Sequence, residues 1–137
     1  MSIVRVTRRV HFAAAHRLHN PEFTEEHNRE VFGLCNNPNW HGHNYELDIT
    51  VEGEVDPSTG YVIDLKRLRD MVEETVLVDV DHRNLNLDVA WMTGIIPSTE
   101  NLVVALWEKL APAIPQGRLV RLILWETPRN YVEYTGE

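Results

Sequence analysis

Apolar side chains fall on alternate positions at the start of the chain. Val4, Val6, Val10, Phe12 and Ala14 share one parity, interrupted by Arg8, while Arg5, Thr7, Arg9 and His11 share the other. A period of two predicts a strand from about Ile3 to Ala15 with one buried face. Asn20 to Arg29 is polar, carries Pro21 and several carboxylates, and reads as a loop or short helix. Alternation returns with Tyr45, Leu47, Ile49 and Val51 against Glu46, Asp48, Thr50 and Glu52, and Asp56-Pro57-Ser58-Thr59-Gly60 then supplies turn residues. Asp64 fits the N-cap of a helix from about Leu65 to Leu77, whose face is Leu65, Leu68, Val72 and Val76. A second helix opens near Pro97-Ser98-Thr99-Glu100, is striped by Leu102, Val103, Leu106 and Leu110, and is limited by Pro112. Two closing strands, Arg118 to Thr127 and Tyr131 to Tyr134, flank a Pro128-Arg129-Asn130 turn. The order predicts an α+β fold: a four-stranded antiparallel sheet with two helices on one face. The opposite face is then solvated or covered by another subunit.

Composition narrows the class. The 137 residues suit one domain spanning 1–137, which at this size buries roughly 70% of the surface its unfolded chain exposes. Thirteen lysines and arginines against 21 aspartates and glutamates give a net charge of −8. That balance argues against a nucleic-acid partner, since phosphate backbones need a positive surface. An anionic small substrate would need a local basic or metal site. The single cysteine cannot form an internal disulfide and fits a reducing compartment. Met1 to Arg9 has no apolar stretch behind its arginines, so it is not a secretory signal. The longest apolar run, Leu102 to Trp107, is far short of the ~20 residues of a membrane span. A cytoplasmic protein is expected.

Three histidines continue apolar strand faces. His41 and His43 have the parity of Tyr45, Leu47, Ile49 and Val51, and His16 that of Val10, Phe12 and Ala14. If the second strand runs back to His41 without a bulge, both its imidazoles point to the core side, close enough to share an ion. Three neutral imidazoles at ~2.0–2.1 Å from zinc leave a fourth tetrahedral position open, the arrangement of a catalytic site. The alternative is that each is a hydrogen-bonded core histidine. His11 has the other parity and reads as surface; His19 and His27 lie in loop-like sequence and read as solvated.

Three further groups carry chemistry. Cys35 sits among Gly33, Asn36, Asn37 and Pro38, a loop setting in which a nearby cation could lower its pKa from ~8.5 and make it a base. The alternatives are a small buried side chain or a fourth zinc ligand. Asp81 beside His82 forms either an acid–base relay, given a suitable bend, or an ordinary turn. Glu126 continues the parity of Val120, Leu122 and Leu124. It is a fork acceptor for a planar donor pair on a ligand, or else the strand exits to solvent there.

Taken in order, Phe12-Ala13-Ala14-Ala15-His16-Arg17-Leu18, Cys35-Asn36-Asn37-Pro38-Asn39-Trp40-His41-Gly42-His43-Asn44-Tyr45, Gly53-Glu54-Val55-Asp56-Pro57, Asp81-His82-Arg83-Asn84-Leu85, Ser98-Thr99-Glu100-Asn101 and Trp125-Glu126-Thr127 resemble the 6-pyruvoyltetrahydropterin synthase family. The resemblance implies the tunnel fold, with sheets joined into a β-barrel ring, commonly a homohexamer of two stacked trimers with sites at subunit interfaces. It implies zinc on His16, His41 and His43, a catalytic thiol at Cys35, its partners at Asp81 and His82, and a pterin anchor at Glu126, with Thr99 lining the pocket. The implied substrate is the small-molecule pterin 7,8-dihydroneopterin triphosphate. The product would be 6-pyruvoyltetrahydropterin, on the route to tetrahydrobiopterin. The sequence does not single out the residues that hold the triphosphate: Arg17, Arg29 and Arg83 are possibilities, and a solvated arginine is the preferred reading of each.

Two rival readings stand beside this one. A sister branch converts the same substrate to 6-carboxytetrahydropterin and acetaldehyde, for queuosine and other deazapurines, commonly with a shorter spacing between the cysteine and His-x-His. Asn36-Asn37-Pro38-Asn39 resembles the pyruvoyl branch, although Trp40 stands where that branch usually has a small residue. A non-catalytic pterin- or zinc-binding protein on the same fold is the other rival; Cys35 discriminates, since a pure binder does not need it.

Overall fold

The computed structural model describes residues 2–137. Strand β1 (Ile3–His16) pairs antiparallel with β2 (His41–Glu54), from Ile3 opposite Glu54 to His16 opposite His41 without a break. β2 pairs with β4 (Arg118–Thr127) and β4 with β5 (Asn130–Tyr134), both antiparallel. The expectation of four strands is corrected by one. A two-residue strand, β3 (Arg83–Asn84), adds in parallel to β1 at Ala14 and Ala15, giving the order β3-β1-β2-β4-β5. No hydrophobic alternation marks so short a strand, so the sequence pattern does not reveal it.

The expected parity sets the core. Val10, Phe12, Ala14, Tyr45, Leu47, Ile49, Val51, Leu122 and Leu124 are buried on one face. In β4 the parity holds only from Arg121 onward. Arg121 lies opposite Thr50 but Leu119 opposite Val51, so Val120 is a bulge residue and Leu119, not Val120, turns inward. Two helices cover this face. Helix α2 (Leu65–Val72) is capped by Asp64, which accepts from the Lys66 N–H, and buries Leu68 and Val72. It continues through one wider π turn, Glu73–Leu77, to Val80. Helix α3 (Thr99–Leu110) is capped by Ser98 and buries Leu102, Val103, Leu106 and Leu110. The polar segment after β1 forms a third, peripheral helix, α1 (Glu25–Phe32), capped by Thr24.

The other sheet face is a polar ladder. Thr7 meets Thr50 at 2.8 Å, and Arg9 grips Asp48 through two bonds of 2.7 and 3.0 Å while lying over the Trp125 ring. Exposed pairs of this kind contribute ~0–1 kcal/mol each, so the helix-covered face carries the stability.

Two glycines test the backbone argument. Gly117 enters β4 at φ +71°, and a Cβ there would lie 2.6 Å from the Glu52 carbonyl oxygen. Gly60 also has positive φ, +75°, but faces open space. Gly60→Ala is expected to destabilise by about 1–2 kcal/mol, the left-handed penalty alone. Gly117→Ala should lose roughly 2–5 kcal/mol, with crowding added. Urea midpoints measure both; equal midpoints would refute the steric part.

Candidate active site

The register of β1 and β2 builds the site. His16 closes β1 directly opposite His41, which opens β2, and His43 stands opposite Ala14. All three project from the core face at its rim. Their ring centroids are 4.5, 5.0 and 5.0 Å apart, and one nitrogen from each lies within 4.8 Å of the others. His16 is 1% exposed. Its Nδ1 lies 2.8 Å from the Pro97 carbonyl, which can only accept, so the proton sits on Nδ1 and Nε2 keeps its lone pair. Pro97, just ahead of α3, is a supporting group with no signal in the sequence. The Tyr45 hydroxyl, 3.4 Å from the same nitrogen, is a second, visible in advance only as a same-face neighbour.

Nε2 of His16, both ring nitrogens of His41 and Nε2 of His43 are buried without a hydrogen-bond partner. Orphaned buried nitrogens are costly unless something binds them, and three converging imidazoles fit a divalent ion of the zinc type. Burial is the largest effect on His16 and His41 and holds both below the ordinary histidine pKa, with His43 adding to it. For His16 the Pro97 bond pulls the other way. Metal ligands must be neutral, so this environment favours the binding form.

Glu126 reaches the same place. The β4–β5 register shifts between Trp125 and Thr127, and a bulge there re-aims the intervening side chain. Its Oε1 lies 3.8 Å from His43 Nε2, and its Oε2 accepts from the Thr99 hydroxyl. Thr99, in the first turn of α3, is buried, so its bond orients the carboxylate. A cavity of about 530 Å³ runs past His43, Glu126, Gly42, Asn44 and Trp125.

Cys35 lies on a single 3₁₀ turn, Gly33–Asn36, and is partly buried. Burial and, second, the Glu126 charge push its thiol up. This is opposite to the direction a neighbouring cation would give; the charge that acts on the sulfur is the carboxylate of Glu126. Asp81 and His82 do bend into a pair. His82 takes φ +60°, bringing its Nδ1 within 3.0 Å of Asp81 Oδ1. Asp81 Oδ1 also accepts from the Ala13 N–H, and the His82 N–H donates to the Ala13 carbonyl. The pair is thereby clamped to the β1 edge, with the His82 side chain 83% exposed. No hydrogen bond joins it to Cys35 or the three histidines among the described residues. His11 is exposed as expected. His19 is not simply solvated: its Nδ1 is 3.0 Å from Asn36 Nδ2. His27 is half exposed against Phe23.

Three imidazoles that could hold a metal ion, with a carboxylate beside them, at the rim of a sheet covered by two helices, are the site of an enzyme of the tunnel-fold class. The family model described as 6-pyruvoyl tetrahydropterin synthase matches residues 5–137, and the chain belongs to that family. The human 6-pyruvoyl tetrahydrobiopterin synthase is 43% identical over 133 residues, covering 97% of this chain and 92% of that one. The Drosophila melanogaster protein of the same name is 39% identical over 96% of this chain and 79% of its own length. The Caenorhabditis elegans 6-pyruvoyl tetrahydropterin synthase structure superposes with a TM-score of 0.94 at 40% identity, covering 100% of this chain and 98% of that one.

Protonation competes with metal for these rings. The sign follows from the depressed pKa values: the unfolded chain binds more protons below its ordinary histidine pKa, so folded stability is full above it and falls as pH drops. The metal-free chain is expected to melt at progressively lower temperature as pH falls below ~6.5. His16→Asn should flatten that fall and abolish tight metal binding by calorimetry. An unchanged pH slope would refute the burial argument.

Proposed function

We propose that the protein is a zinc-dependent carbon–oxygen lyase that converts 7,8-dihydroneopterin triphosphate to 6-pyruvoyltetrahydropterin with loss of triphosphate. The observation that carries the reading is the single cavity in which His43, of the imidazole trio, meets the Thr99-held Glu126. His16, His41 and His43 would hold the ion. Bound there, zinc would supply Lewis-acid polarisation of the substrate's side-chain oxygens, and positive charge favouring a thiolate at Cys35. Glu126 accepts two forked hydrogen bonds from the pterin edge, contributing ~1.5–3 kcal/mol each. Cys35 takes a proton from the side-chain carbon. His82, held by Asp81, shuttles protons during elimination and tautomerisation.

The exposed His82 completes the site of a neighbouring copy, in a homohexamer of two stacked trimers. Two features support assembly: the sheet face without helices, and the β1 edge, which β3 pairs only at Ala14 and Ala15. Residues 1–137 act as one pterin synthase-like domain. No helix among the described residues is long and apolar enough to cross a membrane, and the lone cysteine supports a cytoplasmic setting with neither membrane nor nucleic acid as partner. The Cys35-to-His41 spacing favours the pyruvoyl product over the carboxy product of queuosine biosynthesis.

Zinc-loaded protein incubated with 7,8-dihydroneopterin triphosphate should release triphosphate and form a pyruvoyl pterin, followed by chromatography and mass spectrometry. Acetaldehyde release would favour the carboxy product, and no turnover would leave a pterin binder. Cys35→Ala should lower kcat by roughly 10²–10⁴-fold with zinc stoichiometry intact. Full activity in that variant would overturn the role of the thiol.

A further inference from the structure

We propose that the cavity enclosed by Arg17, His19 and Arg29 is an oligophosphate site, which on the reading above seats the triphosphate arm of the substrate. The cavity is about 760 Å³ and is walled in part by the turn that carries Cys35. Leu34 and Asn36 of that turn line it, one on each side of Cys35 in the chain. The turn is a wall of the cavity and is bonded to the two residues that follow the proposed ligand His16. Arg17 directly follows the ligand residue His16. The Leu18 N–H donates to the Cys35 carbonyl at 2.8 Å, and Arg17 Nε to the Asn36 carbonyl at 2.9 Å. A substrate with its three-carbon chain at the imidazoles would continue from there toward this wall.

Among the described residues the donors are largely uncommitted. Arg17 spends only Nε on the protein, leaving both terminal nitrogens of its guanidinium. Arg29 forms no ion pair or side-chain hydrogen bond among the described residues. Buried Asn36 donates to His19 Nδ1, since its Nδ2 can only donate. That bond fixes the tautomer with the proton on Nε2, making His19 a third donor. Glu25 is the acid in the wall. Guanidinium forks match phosphate oxygens bidentately. A chain of net charge −8 repels a polyanion in general and needs such a local exception.

The alternatives on the surface are poorer. A second basic cavity, beside the β1 edge, contains Arg8, Arg9 and Arg69. There Arg9 is held by Asp48 and Glu46, Arg69 by Asp70, and Glu73 and Asp81 add negative charge. Arg83, the third arginine considered from the sequence, lies on β3 at the sheet edge and does not line the cavity.

Calorimetric titration of the metal-free full chain with inorganic triphosphate tests the cavity alone, without zinc to chelate the probe. Arg29→Gln and His19→Gln should each weaken binding about tenfold, and Arg29→Lys should restore part of it. With zinc-loaded enzyme, Arg29→Gln should raise KM for the triphosphate substrate about tenfold with kcat within about twofold, while binding of unphosphorylated neopterin, followed by its fluorescence, stays unchanged. Triphosphate bound equally well by Arg29→Gln and wild type, or a KM effect in Arg83→Gln instead, would overturn the proposal. Binding of inorganic triphosphate that depends on Arg29, without any turnover by wild type, would uphold the cavity and refute the lyase reading.

Discussion

The site depends on the unbroken pairing of β1 with β2. Fourteen residues of each strand run in register from Ile3 and Glu54 to His16 and His41. Because side chains alternate with a period of two, a slip of one residue would send His41 and His43 to the polar face and leave His16 alone at the core rim. Tyr45, Leu47, Ile49 and Val51, all fully buried, hold the register through hydrophobic burial far larger than any contact the histidines make. The core thereby supports four imidazole nitrogens that have no hydrogen-bond partner among the described residues.

Backbone strain is concentrated beside this ladder. Among the described residues only Trp40 and His82 take positive φ without being glycine, at 68° and 60°. Each sits next to a proposed functional group: Trp40 precedes His41, and His82 follows Asp81. The left-handed conformation costs a side chain such as tryptophan about 1–2 kcal/mol. A glycine would escape this penalty at position 40, where the Asn37 carbonyl accepts the Trp40 N–H at 3.1 Å to close the turn into β2. At position 82 the same conformation is what lets adjacent residues face each other, the bend the sequence could only pose as a condition.

Legibility followed the range of the interactions. Strand parity, the N-cap at Asp64, the helix start near Ser98, and the core-face parity of His16, His41 and His43 are local or period-two features, and reading one strand at a time exposes them. The parallel strand β3, the bulge at Val120 and the Pro97 carbonyl behind His16 arise from pairing between distant segments, which leave no mark on either segment alone. The Cys35 environment misled for a related reason. A loop rich in Gly, Asn and Pro says nothing about which charge lies across the fold, and that charge is the carboxylate of Glu126.

That carboxylate sits where two requirements conflict. Placed 3.8 Å from His43 and bonded by Thr99, Glu126 is well set to accept a ring edge, but its negative charge opposes ionisation of the thiol. A carboxylate and a thiolate sharing one partly buried site repel each other across a low dielectric. The same arrangement turns this into selectivity in time. Without a cation on the imidazoles the thiol stays protonated and unreactive. On the proposed reaction, positive charge on the imidazoles and a pterin edge on the Glu126 lone pairs would weaken both opposing effects together. The base would then form only in the complex that needs it, and the chain's single cysteine would stay protonated, and so less open to oxidation, between turnovers.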